Sequence, residues 1–181
     1  MTKCLYLIVG PSGAGKTTVV DCLAELGFRR VKSYTTRPPR HEGEDGYQFI
    51  SEAEYKEMAD QIITGTKYHC HYYGATAAQM DDAEIYILEP RGVYAVLENY
   101  GKTRPVVVIG ITAPMKVLEQ RMKDRGDSQD QINIRLEGDH LRFNMMQDFC
   151  DIIIRNTGDL QATVSTVVEY MRFCEKTIVT H

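Results

Sequence analysis

Long apolar runs and an excess of positive charge are both missing from this sequence. No apolar run approaches the roughly 20 residues that a membrane-spanning helix needs, and the apolar segment from Cys4 to Val9 is too short for a secretory core. The net charge of −4 lacks the basic surplus with which general nucleic-acid binders displace counterions. We therefore expect a soluble, cytoplasmic protein with no nucleic-acid partner and no membrane partner.

Paired or clustered cysteines are missing as well. The five cysteines are odd in number and widely spaced, which fits neither a disulfide framework nor a zinc knuckle: Cys4, Cys22, Cys70, Cys150 and Cys174. We expect reduced, mostly packed thiols. The run His69, Cys70, His71 contains metal-ligand residue types, but neighbours on a strand point to opposite sides, so a surface hairpin is favoured over a metal site.

The length and composition fit one core. With 181 residues and 43% hydrophobic content, the chain is long enough for one sizeable domain and short for two. Apolar strand-like runs alternate with helical segments, which predicts an α/β fold with a parallel sheet and helices on both faces. A segment at about 33–79 interrupts the alternation. We expect a single domain over 1–181, with a core of 1–32 and 80–181 and an insert at about 33–79.

Local patterns place most of the elements. Leu5 to Val9 predicts a buried strand, Thr17 to Leu26 a helix that Gly27 ends, and Val31 with its neighbours a second strand. Ser51 with Glu54, and Ser128 with Gln131, form capping boxes that start helices. Further strands are predicted at 85–88, 106–111 and 151–155, a hairpin at 62–73, and helices at 117–125 and 160–174.

A complete phosphate-binding P-loop follows the first predicted strand. Glycines let the backbone curl until successive N–H groups point at phosphate oxygens, and the helix that follows directs its positive end at the same charge. Lys16 would reach the β- and γ-phosphates and Thr17 would hold Mg²⁺. The motif predicts binding of ATP with Mg²⁺ by the residues Gly10, Pro11, Ser12, Gly13, Ala14, Gly15, Lys16, Thr17 and Thr18.

Beyond the P-loop, two further segments carry a family resemblance. The run from Ser33 to Arg40, followed by Glu42 to Tyr47 and Phe49, resembles the GMP-binding region of guanylate kinases. Tyr72 to Thr76 is similar to a tyrosine-glycine turn of that family, and the segment at about 121–135 is similar to its lid. The resemblance implies a P-loop kinase fold with a small mixed β/α insert that binds the nucleoside monophosphate (NMP) and an arginine-bearing lid.

The resemblance also implies roles for single residues. Arg37, Arg40, Tyr47 and Tyr73 would hold the acceptor phosphate, and guanidinium forks suit phosphate oxygens. Ser33 would touch the base, and Asn156 would lie near the adenine of ATP. The lid arginines would close over the transferring phosphoryl group: Arg121, Arg125 and Arg135. The alternative interpretation is an ordinary charged helix end, in which Glu119 and Asp124 pair with these arginines.

The base side departs from the family pattern. Thr64 stands where the family reads guanine with a glutamate, and a hydroxyl cannot accept from two donors as a carboxylate does. Ala75 replaces a hydroxyl residue. Glu89 stands in place of an aspartate-rich stretch, where it contacts the base, orders water on Mg²⁺, or is an ordinary carboxylate at a strand end.

The resemblance implies an ATP-dependent kinase of GMP or dGMP that acts as a monomer or weak homo-oligomer. Three alternatives stay open at this point. The acceptor pocket takes another nucleoside monophosphate, or the fold serves as a non-catalytic guanylate-kinase-like module that grips a phosphorylated or acidic peptide, or the protein is a P-loop ATPase that regulates a partner.

Overall fold

The computed structural model describes residues 4–39, 42–68 and 70–178. Strands and helices alternate through most of this length, and two short 3₁₀ helices lie at Ala59–Gln61 and Met146–Asp148. In chain order the elements are β1 Leu5–Val9, α1 Lys16–Glu25, β2 Tyr34–Thr35, β3 Gln48–Phe49, α2 Glu52–Glu57, β4 Ile62–Tyr68, β5 His71–Thr76, α3 Ala77–Asp81, β6 Ile85–Ile87, α4 Pro90–Asn99, β7 Val106–Thr112, α5 Met115–Asp124, α6 Gln129–Phe143, β8 Ile152–Arg155 and α7 Leu160–Ile178.

A four-stranded parallel sheet in the order β6-β1-β7-β8 forms the centre of the fold. Alternate side chains of β1 enter two different apolar clusters. Tyr6 and Ile8 pack with residues of α1, α5 and α7, whereas Leu5, Leu7 and Val9 pack with residues of α3 and α4. The predicted α/β architecture with helices on both faces is therefore confirmed.

The segment between residues 33 and 76 forms a second, mixed sheet in the order β3-β2-β5-β4. Its β4–β5 hairpin confirms the predicted one, although His69 lies outside the described residues. Cys70 takes a positive φ of 66° at the turn. The ring of Tyr55 stacks on Tyr72 at 5.1 Å and its hydroxyl donates to the carbonyl of Tyr73 at 2.9 Å, which fixes α2 on the sheet.

Capping chemistry sets the helix ends as expected. Ser51 and Ser128 each form a complete capping box, with Glu54 and Gln131 respectively. Gly27 takes a φ of +92° and its N–H donates to the carbonyl of Ala24 at 2.9 Å. Left-handed backbone is easily reached by glycine, so α1 ends there.

Two expectations need correction. The strand predicted at Val31 is wrong, because only Arg30 bridges Ile85 before the chain leaves for the insert. The helices α3 and α4 were not predicted. Their signals are nevertheless local: Thr76 and Gln79 form a capping box, and Pro90 occupies the first turn of α4.

Neither the helices nor the cysteines of the described part point to a membrane span or a disulfide. No helix within residues 4–39, 42–68 and 70–178 is both long and apolar enough to cross a bilayer. All five cysteines are free thiols.

Candidate active site

The P-loop curls tightly over the end of the central sheet. Gly10 has a φ of +154°, and a Cβ there would lie 2.0 Å from the carbonyl oxygen of Ile111. Gly15 has a φ of +90°, and its Cβ would lie 2.5 Å from Nδ2 of Asn156. Glycine is required at both positions because any side chain would push the loop off β7 or off Asn156. The curled loop therefore keeps its amides close to the start of α1.

Lys16 begins α1 and folds back over the loop. Its Nζ donates to the carbonyl of Gly10 at 2.7 Å and to that of Pro11 at 3.0 Å. Burial lowers the pKa of Lys16 to about 8, and this effect exceeds the opposing attraction of Asp139 and Glu89. An anion that met this ammonium group would stabilise its charged form.

A cavity of about 530 Å³ unites the P-loop with the lid segment. Thr17 and Thr18 are exposed at its floor, and the three predicted lid arginines stand along its wall. Besides these arginines, the cavity is lined by seven of the ten residues predicted to bind ATP: Ser12, Gly13, Gly15, Lys16, Thr17, Thr18 and Asn156. The remaining three, Gly10, Pro11 and Ala14, are buried in the loop beneath them.

The cavity suits a triphosphate with its metal ion. Lys16 and the exposed Thr17 line it together with three arginines. Hydroxyl oxygen next to phosphate oxygens is the kind of ligand that Mg²⁺ takes in P-loop sites.

The lid arginines are held by groups that the sequence did not indicate. Arg125 Nε donates to Asp127 Oδ2 at 3.0 Å, and Arg135 Nε lies 3.7 Å from the same oxygen. The hydrogen bond from Arg125 lowers the pKa of the Asp127 carboxyl. The partners considered from the sequence are wrong for these arginines, since Glu119 pairs with Lys123 and Asp124 accepts from Gln120.

Arg121 and Asn156 lie against the P-loop itself. Arg121 Nη1 is 3.3 Å from the carbonyl oxygen of Gly13 and 3.4 Å from that of Ala14. Asn156 is buried, and its Nδ2 donates to the carbonyl of Ala14 at 2.8 Å while its Oδ1 accepts from Thr163 at 3.3 Å. Asn156 therefore supports the loop from below as well as lining the cavity.

One further contact to the P-loop was missed entirely. The N–H of Ser12 donates to Oδ2 of Asp139 at 2.6 Å, and Asp139 is only 8% exposed. Asp139 lies on α6, 127 positions away along the chain. No local sequence signal reports a contact at that separation.

The predicted acceptor-phosphate residues cluster on the second sheet. Arg37 forms a fork with Glu44, with Nη2–Oε1 at 2.7 Å and Nη1–Oε2 at 3.1 Å. Its guanidinium lies 5.4 Å from the ring centroids of Tyr47 and Phe49, and the Tyr47 ring lies 5.8 Å from that of Tyr73. Arg40 lies outside the described residues.

The Nε of Arg37 is the unusual atom of this cluster. It is buried and has no hydrogen-bond partner within the residues that the structure describes. A buried guanidinium N–H without a partner is costly, so this group favours the arrival of an anion.

Three of the residues predicted on the base side, Ser33, Thr64 and Ala75, are joined in one hydrogen-bond network through Tyr86. Ser33 donates to the hydroxyl of Tyr86 at 2.9 Å, and that hydroxyl lies 2.8 Å from Oγ1 of Thr64, which also accepts from the N–H of Ala75 at 3.2 Å. All four residues are buried, and burial raises the pKa of Tyr86. Tyr86 was missed because the sequence presents it as part of an apolar strand.

Glu89 connects the start of α4 to α6. It occupies the N-cap position of α4, its Oε2 lies 3.5 Å from Nη1 of Arg142 on α6, and its charge acts on Lys16. Its carboxylate is partly exposed.

Comparison with known proteins places this arrangement in a family. Residues 2–173 match the family model described as guanylate kinase. Ribose 1,5-bisphosphate phosphokinase PhnN of Pectobacterium atrosepticum is 32% identical over 190 aligned positions, which cover 96% of this chain and 95% of the relative. Guanylate kinase of Chlamydia felis is 34% identical over 140 positions, covering 70% of this chain and 67% of the relative.

A solved structure agrees with the fold. The crystal structure of guanylate kinase from Anaplasma phagocytophilum superposes with a TM-score of 0.71 at 20% identity, covering 94% of this chain and 85% of that chain. With the P-loop, the lid arginines and the mixed insert in place, these matches show that the protein is a kinase and that the chain belongs to the guanylate kinase family.

Proposed function

We propose that this protein transfers the γ-phosphoryl group of ATP to the phosphate of a nucleoside monophosphate, with GMP and dGMP as the acceptors. One observation carries the proposal. A single cavity gathers the P-loop, Lys16 and three arginines of the lid segment, which is the charge arrangement that phosphoryl transfer needs.

At the donor end, Lys16 exchanges its bonds to the loop carbonyls for bonds to the β- and γ-phosphate oxygens. The amides of the P-loop and the N-terminus of α1 hold the remaining phosphate charge. Thr17 holds Mg²⁺, which supplies further neutralisation of the phosphate oxygens when bound. Arg121 and Asn156 keep the loop in shape during this exchange, since both contact the carbonyls of its central turn.

At the acceptor end, the phosphate binds to the guanidinium of Arg37, together with Arg40 and the hydroxyls of Tyr47 and Tyr73. The unpartnered Nε of Arg37 supports this role, because a phosphate oxygen would satisfy it. Ser33, Thr64 and Ala75 shape the buried wall beside the base. Glu89 is the carboxylate that remains to accept from the guanine edge.

The reaction itself needs no protein nucleophile. An oxygen of the acceptor phosphate attacks the γ-phosphorus, and the bond from the γ-phosphorus to the bridging oxygen breaks as ADP leaves. Arg125 and Arg135 leave Asp127 and neutralise charge on the transferring group. The segments at 33–73 and 121–135 close over the cavity and exclude the water that would hydrolyse ATP.

A second acceptor, ribose 1,5-bisphosphate, is favoured by one specific observation. The hydroxyls of Ser33, Thr64 and Tyr86 already satisfy one another, which leaves few groups for reading a base. The relative that is matched across 96% of this chain is named for that sugar phosphate.

An acceptor panel decides between these activities. ADP release is measured with ATP, Mg²⁺ and each of GMP, dGMP, the other common nucleoside monophosphates and ribose 1,5-bisphosphate. We expect GMP and dGMP to give the highest kcat/KM, with Lys16→Ala as the inactive control. Preference for ribose 1,5-bisphosphate would establish the second candidate instead. ATP binding without transfer to any acceptor would contradict both and favour a binding module, whereas hydrolysis that needs no acceptor would indicate a regulatory ATPase.

A further inference from the structure

One face of α6 carries three charged residues with partners on three other segments of the chain. Arg135, Asp139 and Arg142 follow one another at helical spacings of four and three, so they share that face. Arg135 lines the cavity beside Asp127, and Arg142 pairs with Glu89 on the acceptor side. Asp139 therefore lies between two arginines along the helix and contacts the loop predicted to bind the triphosphate.

The contact of Asp139 with the P-loop uses a group that an incoming anion needs. The carboxylate accepts from the N–H of Ser12 at 2.6 Å, and a hydrogen bond to an ionised acceptor is stronger than a neutral one. The charge of the same carboxylate also favours the protonated form of Lys16, whose ammonium group is predicted to reach the β- and γ-phosphates. Asp139 thus occupies the phosphate-binding end of the loop with a negative charge of its own.

A γ-phosphoryl group and this carboxylate cannot share the site. Both are anionic, the amide of Ser12 is already taken by Asp139, and this carboxylate is only 8% exposed, so little water screens its charge. ADP ends at the β-phosphate and lacks the γ-phosphoryl group that would meet this carboxylate. The conflict therefore arises with ATP alone.

We propose that Asp139 is a positioning residue that holds the Ser12 amide in the nucleotide-free protein and releases it only to the γ-phosphoryl group. ATP, but not ADP, then breaks the contact between the P-loop and α6, the helix that also carries Arg135. The inference rests on the ATP binding in the proposed function, and it goes further in making α6 the element that distinguishes donor from product.

A purely structural role for Asp139 predicts different behaviour. If the carboxylate only fastened the P-loop, its loss would weaken ATP and ADP alike, and asparagine, which also accepts a hydrogen bond, would restore both. If it competes with the γ-phosphoryl group, removal of its charge tightens ATP binding and leaves ADP binding unchanged. The ratio of the two dissociation constants separates the two roles.

The experiment measures binding of ADP and of a non-hydrolysable ATP analogue by titration calorimetry, without any acceptor. The variants are Asp139→Asn and Asp139→Ala, with Glu137→Gln as the matched control, because Glu137 is an exposed carboxylate on the same helix. We expect the Kd of the ATP analogue to fall by about tenfold in Asp139→Asn, in line with the strength of a hydrogen bond to a charged group. The Kd of ADP should stay unchanged, and Glu137→Gln should match the wild type for both.

The proposal would be overturned if the Kd values of ADP and of the ATP analogue changed in parallel. It would also be overturned if ATP binding were weaker in Asp139→Ala and normal in Asp139→Asn. Thermal unfolding checks that each variant folds, and the nearly isosteric asparagine keeps the test intact if the alanine variant does not. The binding test contains no acceptor, so it is independent of the acceptor panel. If the panel failed but the variants changed ATP binding selectively, the proposed transfer would be wrong and the proposed role of Asp139 would still hold.

Discussion

The predicted donor side and the predicted base side differ in how their polar groups are arranged. On the donor side, Lys16 and the arginines of the lid segment stand around an open cavity. On the base side, the hydroxyls of Ser33, Thr64 and Tyr86 are buried and bonded to one another. The comparison shows charged groups around the cavity of the predicted donor side, whereas the hydroxyls of the predicted base side already bond to one another.

Internal carboxylates occupy both phosphate regions. Asp127 holds two lid arginines, Asp139 holds a P-loop amide, and Glu44 holds Arg37. In the proposed function, the two lid arginines, the Ser12 amide and Arg37 would each exchange a protein carboxylate for a phosphate of the substrates. Substrate binding therefore swaps one anion for another and need not organise free cations.

Loss of the P-loop lysine tests the donor side most severely. Lys16→Ala should lower kcat by about 10³ or more, because it removes a positioned charge from the transferring phosphoryl group. Binding of the acceptor monophosphate, measured by calorimetry, should survive because Arg37 is untouched. Turnover equal to that of the wild type would exclude Lys16 from the mechanism.

Loss of one lid arginine should have a smaller effect on the same side. Arg125→Ala should lower kcat by about 10², since Arg121 and Arg135 still supply charge. Steady-state kinetics with saturating ATP measure this. Lys123→Ala is the matched control, because Lys123 also lies at the end of α5 but pairs with Glu119 on the surface. Equal losses in both variants would point to general weakening of the helix.

The closed network on the base side should affect folding more than ATP binding. Tyr86→Phe removes the hydroxyl that joins Ser33 to Thr64, and it should lower the free energy of unfolding by about 1–2 kcal/mol. Chemical denaturation measures the change. Tyr94→Phe serves as control, since Tyr94 is 53% exposed. An altered ATP affinity in Tyr86→Phe would show that the two sides are coupled more closely than their contacts indicate.

A pH titration should give the smallest effect and concerns the donor side alone. Burial lowers the pKa of Lys16 to about 8 in the free protein, and a bound triphosphate favours the charged form and raises it. The complex therefore carries more protons than the free protein above pH 8, so ATP affinity should fall as the pH rises through that region. Calorimetry in buffers of different ionisation enthalpy should detect proton uptake that Lys16→Ala abolishes.

Sequence reasoning succeeded where the deciding residues are neighbours in the chain. The P-loop, the capping boxes of α2 and α6 and the stop at Gly27 depend on contacts within a few positions, so their spacing predicts their geometry. The lid arginines of α5 and α6 followed from the family resemblance, and the structure places them in one cavity with the P-loop.

It failed where partners come from distant segments. Asp139 reaches Ser12 across 127 positions, and the hydroxyl of Tyr86 meets groups of the insert that fold onto β6 from outside the core. Asp127 lies near Arg125 in the chain, but its choice over Asp124 depends on the turn after α5. Side-chain pairing of this kind depends on packing, which spacing alone does not encode.

The close approach of Gly15 to Asn156 has a consequence for how this sequence can change. A Cβ at position 15 would lie 2.5 Å from the amide of Asn156, which in turn holds the carbonyl of Ala14. A smaller residue at position 156 would remove this contact but not the strain that a side chain meets at the φ of +90° of Gly15, and it would leave the carbonyl of Ala14 without its donor. In mutational libraries and in natural descent, position 15 should therefore stay glycine whatever residue stands at position 156.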